Sequence, residues 1–195
     1  ALFVARQGTL ASASHQIAAN VAAVCYMIPL SLAIATSARV SYWRGAGNEP
    51  LARQLIGHGF TIAACVGLAT TALLLLAKGG IAGLYTNEPQ VIALAAFLLG
   101  WVACYHAADA VQTYCIFVLR SYRITVAPLI IYSVLLWGAG LGGGYWLAYA
   151  APAGLDLAAI TANTPAPFWA ASAAALWLTA ILFGTLLRWA VRQVD

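Results

Sequence analysis

The run "QVIALAAFLLGWVACYHAADAVQTYCIFVL", residues 90–119, decides the fold. It holds a single charged residue, Asp109, and it exceeds the roughly 20 apolar residues that one helix needs to cross a bilayer core. We read it as a membrane-spanning helix. The rest of the chain has the same character: 64% of residues are hydrophobic, 7% are charged, and the mean hydropathy is +0.89. A soluble domain carries about a quarter charged residues. The chain therefore reads as an all-α integral membrane protein surrounded by lipid, and no nucleic-acid partner is expected.

Working outward, four more runs are long and apolar enough to span, at about 13–42, 55–77, 124–149 and 167–189. The breaks carry turn chemistry: "RGAGNEP" at 44–50, "KGGIAGLYTNEP" at 78–89, "RSYR" at 120–123 and "APAGLDLAAITANTPAP" at 151–167. Residues 1–10 read as the end of a further helix. The start "ALFVARQG" has no basic region ahead of an apolar stretch, so no signal peptide is expected, and the chain is expected to be a piece of a longer one.

Threading the spans in alternation sorts the basic residues. Arg39, Arg44, Arg53, Arg120, Arg123, Arg188 and Arg192 fall on one side, with Arg6 and Lys78 on the other. The positive-inside rule then puts the C-terminus in the cytoplasm, and the expected location is the cell (inner) membrane. Aromatic residues fall where interfacial belts are expected: Tyr42, Trp43 and Trp189 at the inner surface, and Tyr85, Trp146, Tyr149 and Trp169 at the outer one.

Asp109 lies about 6 Å along the axis from the middle of its span, at 1.5 Å per residue. A charge at that depth costs about 2.5 to 3.5 kcal/mol on insertion scales, so it must face protein or water. Arg120, the nearest basic residue in sequence, is roughly 16 Å further along the helix and out of reach. Tyr105, Asp109 and Gln112 follow i, i+4, i+7 spacing on one helix face, with Thr113 beside them. Desolvation disfavours a carboxylate and a nearby cation favours it, so a lone buried Asp beside a phenol can exchange a proton for another cation at modest cost. That pattern points to ion coupling; the alternative is an Asp that accepts hydrogen bonds and fixes helix packing.

A second stripe, Ser12, Gln16 and Asn20 with His15 one position off, suits a water-filled cavity or helix-to-helix hydrogen bonds. Pro29 should kink the first span, as a hinge or as a shape requirement. His58 and His106 read as hydrogen-bonded helix histidines. Gly138 with Gly142 and Gly140 with Gly144 give two GxxxG spacings, for close packing or local flexibility. Cys25, Cys65, Cys104 and Cys115 form no CxxC, lie within apolar runs and read as small packing residues, so neither zinc nor a disulfide framework is indicated. No Walker motif, HExxH or GxSxG occurs, and nothing argues for an enzyme.

Three stretches, "ASASHQIAANVAAVCYMIPLSLAIATSARVSYWRGAGN", "LYTNEPQVIALAAFLL" and "DAVQTYCIFVLRSYR", together resemble the multidrug and toxic compound extrusion (MATE) transporters, in particular the NorM-like branch. The likeness covers roughly residues 1–125. The resemblance implies a twelve-helix transporter of two six-helix lobes. This chain, residues 1–195, would supply the C-terminal lobe from the end of helix seven through helices eight to twelve, and the N-terminal lobe would be absent. It further implies a cation-coupled antiporter, a secondary active transporter that exports cationic amphipathic compounds by alternating access. Asp109 and Tyr105 match the Asp and Tyr of that family's cation site, whereas a helix-seven Glu of the site has no counterpart in residues 1–10. Na⁺ or H⁺ would be the coupling ion, with no metal beyond Na⁺ at Asp109 and no other cofactor. Gln16, Asn20 and Gln112 would line the substrate path, and the partners would be membrane lipid, small cationic organic substrates and the missing N-terminal lobe. One departure is Ser121 in "LRSYR", where the family usually has Gly. Alternatives within the same composition are a lipid-linked-oligosaccharide flippase, which tends to carry cationic residues in its cavity, and a non-transporting truncated or structural subunit.

Overall fold

A computed structural model describes residues 2–150 and 164–193. The long loop expected at 151–167 lies mostly outside the described residues. The described chain is helical: α1 (Leu2–Ala5), α2 (Thr9–Gly45), α3 (Glu49–Gly83), α4 (Pro89–Ser121), α5 (Val126–Tyr149) and α6 (Ala166–Arg192). Helices α2 to α6 are each long and apolar enough to cross a membrane. They coincide with the five expected spans, and the chain is a multi-pass membrane protein.

Helix ends differ from expectation in instructive ways. Thr9 and Leu10 open α2 instead of closing an earlier helix, because the chain turns at Gly8, whose φ of 96° is left-handed. Gly79, Gly80 and Gly83 read as a turn but continue α3. Each costs about 1 kcal/mol of helix propensity, less than leaving backbone groups unsatisfied near lipid. The breaks that do form have specific stops. Gly47 takes φ 73° while its amide donates to the Arg44 carbonyl and that of Asn48 to the Trp43 carbonyl, a Schellman close to α2. Asn48 then caps α3 by accepting from the Leu51 amide at 3.1 Å, with Pro50 in the first turn. The end of α4 repeats the closure with Arg123 at φ 59°, a position where a side chain costs about 1 to 2 kcal/mol.

Helix α4 is the centre of the bundle. It packs extensively on α2, α3 and α6, while α5 packs mainly on α6. Its first half joins an apolar cluster with Ile17, Val21, Leu74 and Trp169, and its last turns join a second with Val40, Ile56, Phe183 and Leu187. Close approach depends on glycine: a Cβ on Gly67 would meet Ala110 at 2.8 Å, and one on Gly59 would meet the Tyr114 hydroxyl at 2.7 Å. That hydroxyl donates to the Ile56 carbonyl at 2.7 Å.

At the arginine-rich end, two turns are clamped together. Arg44 pairs with Glu49 at 3.1 Å, donates to the Ser121 carbonyl and lies 3.8 Å over the Tyr122 ring. Tyr122 donates to Glu49 at 2.7 Å. Burial first, and then this bond, hold its phenol above the ordinary value, so it remains a donor. Ser121, the departure noted in the sequence, donates to the Ser37 carbonyl at 3.1 Å, while Ser37 donates to the Phe117 carbonyl at 2.8 Å. A glycine at 121 would lack the bond to the Ser37 carbonyl and the 3.0 Å contact between the two hydroxyls.

Helix α5 holds a feature of secondary structure that the sequence did not signal. Val134–Gly142 is π-helical, between α-helical Val126–Ser133 and Gly143–Tyr149. The two glycine pairs lie on different faces of this helix. Gly140 and Gly144 lie against Ser172 and Phe168 of α6, whereas a Cβ on Gly138 would meet nothing within 4 Å. Only one of the two GxxxG spacings is therefore a packing face. The cysteine reading also needs correction: Cys115 is buried, but Cys65 and Cys104 are exposed on this chain. Gly144→Ala, whose Cβ would sit 2.9 Å from the Phe168 Cα, is expected to cost about 1 to 3 kcal/mol and to lower the apparent melting temperature of the full-length protein in detergent. Gly138→Ala should leave that temperature unchanged or raise it slightly.

Candidate functional site

Between its two apolar clusters, α4 carries a polar layer. Asp109, Gln112 and Thr113 are all buried, with Asp109 only 5% exposed. The i, i+3 spacing lets Gln112 Nε2 donate to Asp109 Oδ1 at 2.8 Å, and the same nitrogen lies 3.0 Å from Thr113 Oγ1. Gln112 Oε1 is buried without a hydrogen-bond partner. Among the described residues, both ion pairs centre on Glu49, and neither reaches Asp109.

Asp109 opens on a cavity of about 440 Å³. Small residues of α2, Ala19, Ala22 and Ala23, make the room, and Tyr26, Tyr105, Tyr132 and Trp169 supply the walls. Four helices thus meet at one carboxylate. A second cavity of about 540 Å³ shares Tyr105, Tyr132 and Trp169 and extends toward α1 past His15 and Phe168. A third, about 520 Å³, shares Tyr26, Gln112 and Tyr132 and extends toward Arg120. The carboxylate sits at the middle of this series.

Tyr105, Asp109 and Gln112 therefore share one site, as their spacing predicts. Gln16 and Asn20 do not line the cavity around Asp109. Both are exposed, and Asn20 accepts a hydrogen bond from the Tyr85 hydroxyl at 2.8 Å. Trp169, expected in the outer aromatic belt, is instead buried, with its ring 5.7 Å from that of Tyr105 and 5.7 Å from that of His15. Its indole Nε1 and the His15 Nδ1 are buried without partners. His106 is buried with Nε2 unpartnered and His58 is exposed, so the reading of both as hydrogen-bonded helix histidines does not describe them.

Sequence reasoning missed Tyr26, Tyr132 and the site role of Trp169. Tyr26 and Tyr132 belong to other helices, and no spacing rule within one span links them to Asp109. A buried carboxylate with phenol and amide oxygens is a hard-donor set, suited to a proton or an alkali cation. The aromatic walls present π faces that attract organic cations. No group of three or more His, Cys, Asp or Glu among the described residues is arranged to hold a metal ion.

Comparison with known proteins gives a consistent picture. The sequence model of the MatE family matches residues 1–146. The probable multidrug resistance protein NorM of Aromatoleum aromaticum is 37% identical over 99% of this chain and 41% of its own length. The multidrug resistance protein MdtK of Proteus mirabilis is 33% identical over 100% of this chain and 41% of its own length. The crystal structure of the eukaryotic MATE transporter AtDTX14 superposes with a TM-score of 0.80 at 19% identity, covering 95% of this chain and 41% of that one. The chain spans well under half the length of the relatives it matches.

The polar layer can be probed by stability. Gln112→Leu removes a donor from a buried carboxylate and is expected to cost about 1 to 3 kcal/mol. In an Asp109→Ala background the same substitution should cost clearly less, and a double-mutant cycle on thermal unfolding in detergent reads the difference.

Proposed function

The chain belongs to the MatE family, and from that premise we propose that it is the C-terminal lobe of a multidrug antiporter in which Asp109 carries the coupling cation. The observation that supports this most is a mid-span carboxylate, buried without a basic partner among the described residues, that faces a cavity walled by tyrosine and tryptophan. A carboxylate taken out of water without compensation is costly. Binding of H⁺ or Na⁺ at Asp109 offsets that cost, with Tyr105 supplying a further oxygen and Gln112 holding Oδ1 in place.

Coupling then requires that the two conformations of the full transporter differ in affinity for the cation, and the cation shifts their balance by no more than that difference. Loading from outside favours the state that releases an organic cation there, and discharge inside resets the cycle. Membrane potential adds about 2.3 kcal/mol per charge per 100 mV, so one or two cations per cycle support a substantial gradient. The organic cation occupies the aromatic cavities beside Asp109, and with the carboxyl neutralised its attraction to the site weakens. The arginine-rich end faces the cytoplasm of the cell's inner membrane, as the positive-inside asymmetry indicates.

A phosphate-binding flippase fits less well. The cavity that contains Asp109 is lined by no Lys or Arg, and Arg120 borders the third cavity, where its guanidinium stacks 4.5 Å from the Phe117 ring.

The test uses the full-length protein in proteoliposomes, a fluorescent cationic dye, and Na⁺ and proton gradients imposed separately. Asp109→Asn is expected to abolish gradient-driven efflux at normal expression and folding, and Tyr105→Phe to weaken it about tenfold, equivalent to about 1.4 kcal/mol. Gradient-driven efflux unchanged in Asp109→Asn would assign coupling to the other lobe.

A further inference from the structure

On the opposite side of α4 from Asp109's neighbours in α2 and α5, α3 and α6 stand apart and leave a groove of about 600 Å³ floored by Val111 and Cys115 of α4. Its walls are apolar, from Ile56 and Phe60 on α3 to Trp177 and Ile181 on α6. Its chemistry changes at one end, where Arg53, Arg188 and Arg192 line the same groove. Arg188 and Arg192 are four residues apart and share a helix face.

The dimensions select the occupant. From Trp177 to Arg188 is eleven residues of helix, about 16 Å at 1.5 Å per residue. That is about half of a ~30 Å hydrocarbon core, the depth of one leaflet. A partner helix would need a groove running the full thickness, and a soluble anion would need no apolar wall. Three guanidiniums above a leaflet-deep apolar slot complement a phosphate headgroup with its acyl chain. Gly57 and Gly184 line the slot, and a Cβ at either would meet nothing within 4 Å, so the width is set by missing side chains.

We infer that this groove is a binding site for an anionic phospholipid, with the phosphate on Arg53, Arg188 and Arg192 and an acyl chain lying between Phe60 and Trp177. The site is built from α3, α4 and α6 and does not depend on the role proposed for Asp109. A bound lipid would brace α3 against α6, both of which pack extensively on α4.

The experiment titrates the full-length, delipidated protein in detergent with phosphatidylglycerol, with phosphatidylcholine of identical chains, and with soluble glycerol phosphate, following thermal unfolding and lipid retention by native mass spectrometry. Phosphatidylglycerol should be retained and should raise the melting temperature; the other two should do neither at the same concentration. Arg188→Gln with Arg192→Gln should weaken phosphatidylglycerol binding at least tenfold. Gly184→Leu, or Gly57→Leu if the first fails to fold, should do so by filling the slot with every charge retained. Equal effects of the two lipids, an effect of glycerol phosphate matching that of the lipid, or wild-type binding by either class of variant would overturn the assignment.

Discussion

Burying a carboxylate inside a membrane without a basic partner among the described residues is the constraint around which this bundle is organised. Asp109 sits on the one helix that touches α2, α3 and α6, in a polar layer between two apolar clusters. The layering divides the work: above and below, α4 is held by apolar packing, while in the middle the carboxylate accepts a hydrogen bond from Gln112 of its own helix. The neighbouring helices face it across a cavity, which leaves the group able to take up a ligand.

The two ends of the bundle are built differently. At the arginine-rich end, Arg44, Glu49, Tyr122, Ser37 and Ser121 join the α2–α3 turn to the end of α4 through direct polar contacts. At the other end the contacts are mostly aromatic, with Phe3 stacked on Phe168 at 6.2 Å and packed edge-on to Tyr145 at 5.2 Å. Between them lies the π-helical segment of α5, where i→i+5 bonding carries less regular packing and is often found at functional sites. Tyr132, one wall of the Asp109 cavity, lies just before this segment.

Hydropathy made the spans legible because a bilayer imposes length and composition together, and the five helices follow from it. Turn chemistry was less dependable: Gly79 and Gly80 look like a break, yet the helix continues because lipid penalises unsatisfied backbone more than glycine penalises helix. Within the site, Tyr105, Asp109 and Gln112 could be joined in advance since one helix fixes their spacing. Tyr26, Tyr132 and Trp169 come from three other helices, and only tertiary packing brings them together. Gln16 and Asn20 form a polar stripe by spacing, but nothing in a single helix says toward which neighbour a stripe points, and neither residue lines the Asp109 cavity.

The most direct test of the account is whether the carboxylate holds the exchangeable cation. Purified full-length protein in detergent, loaded with ²²Na⁺ or equilibrated in weak buffer with a pH indicator, is mixed with a cationic substrate, and the cation released is measured for wild type and for Asp109→Asn. The account predicts release of Na⁺ or H⁺ on substrate binding by the wild type and none by Asp109→Asn that still binds substrate. Release of the same cation, in the same amount, by both proteins would contradict it.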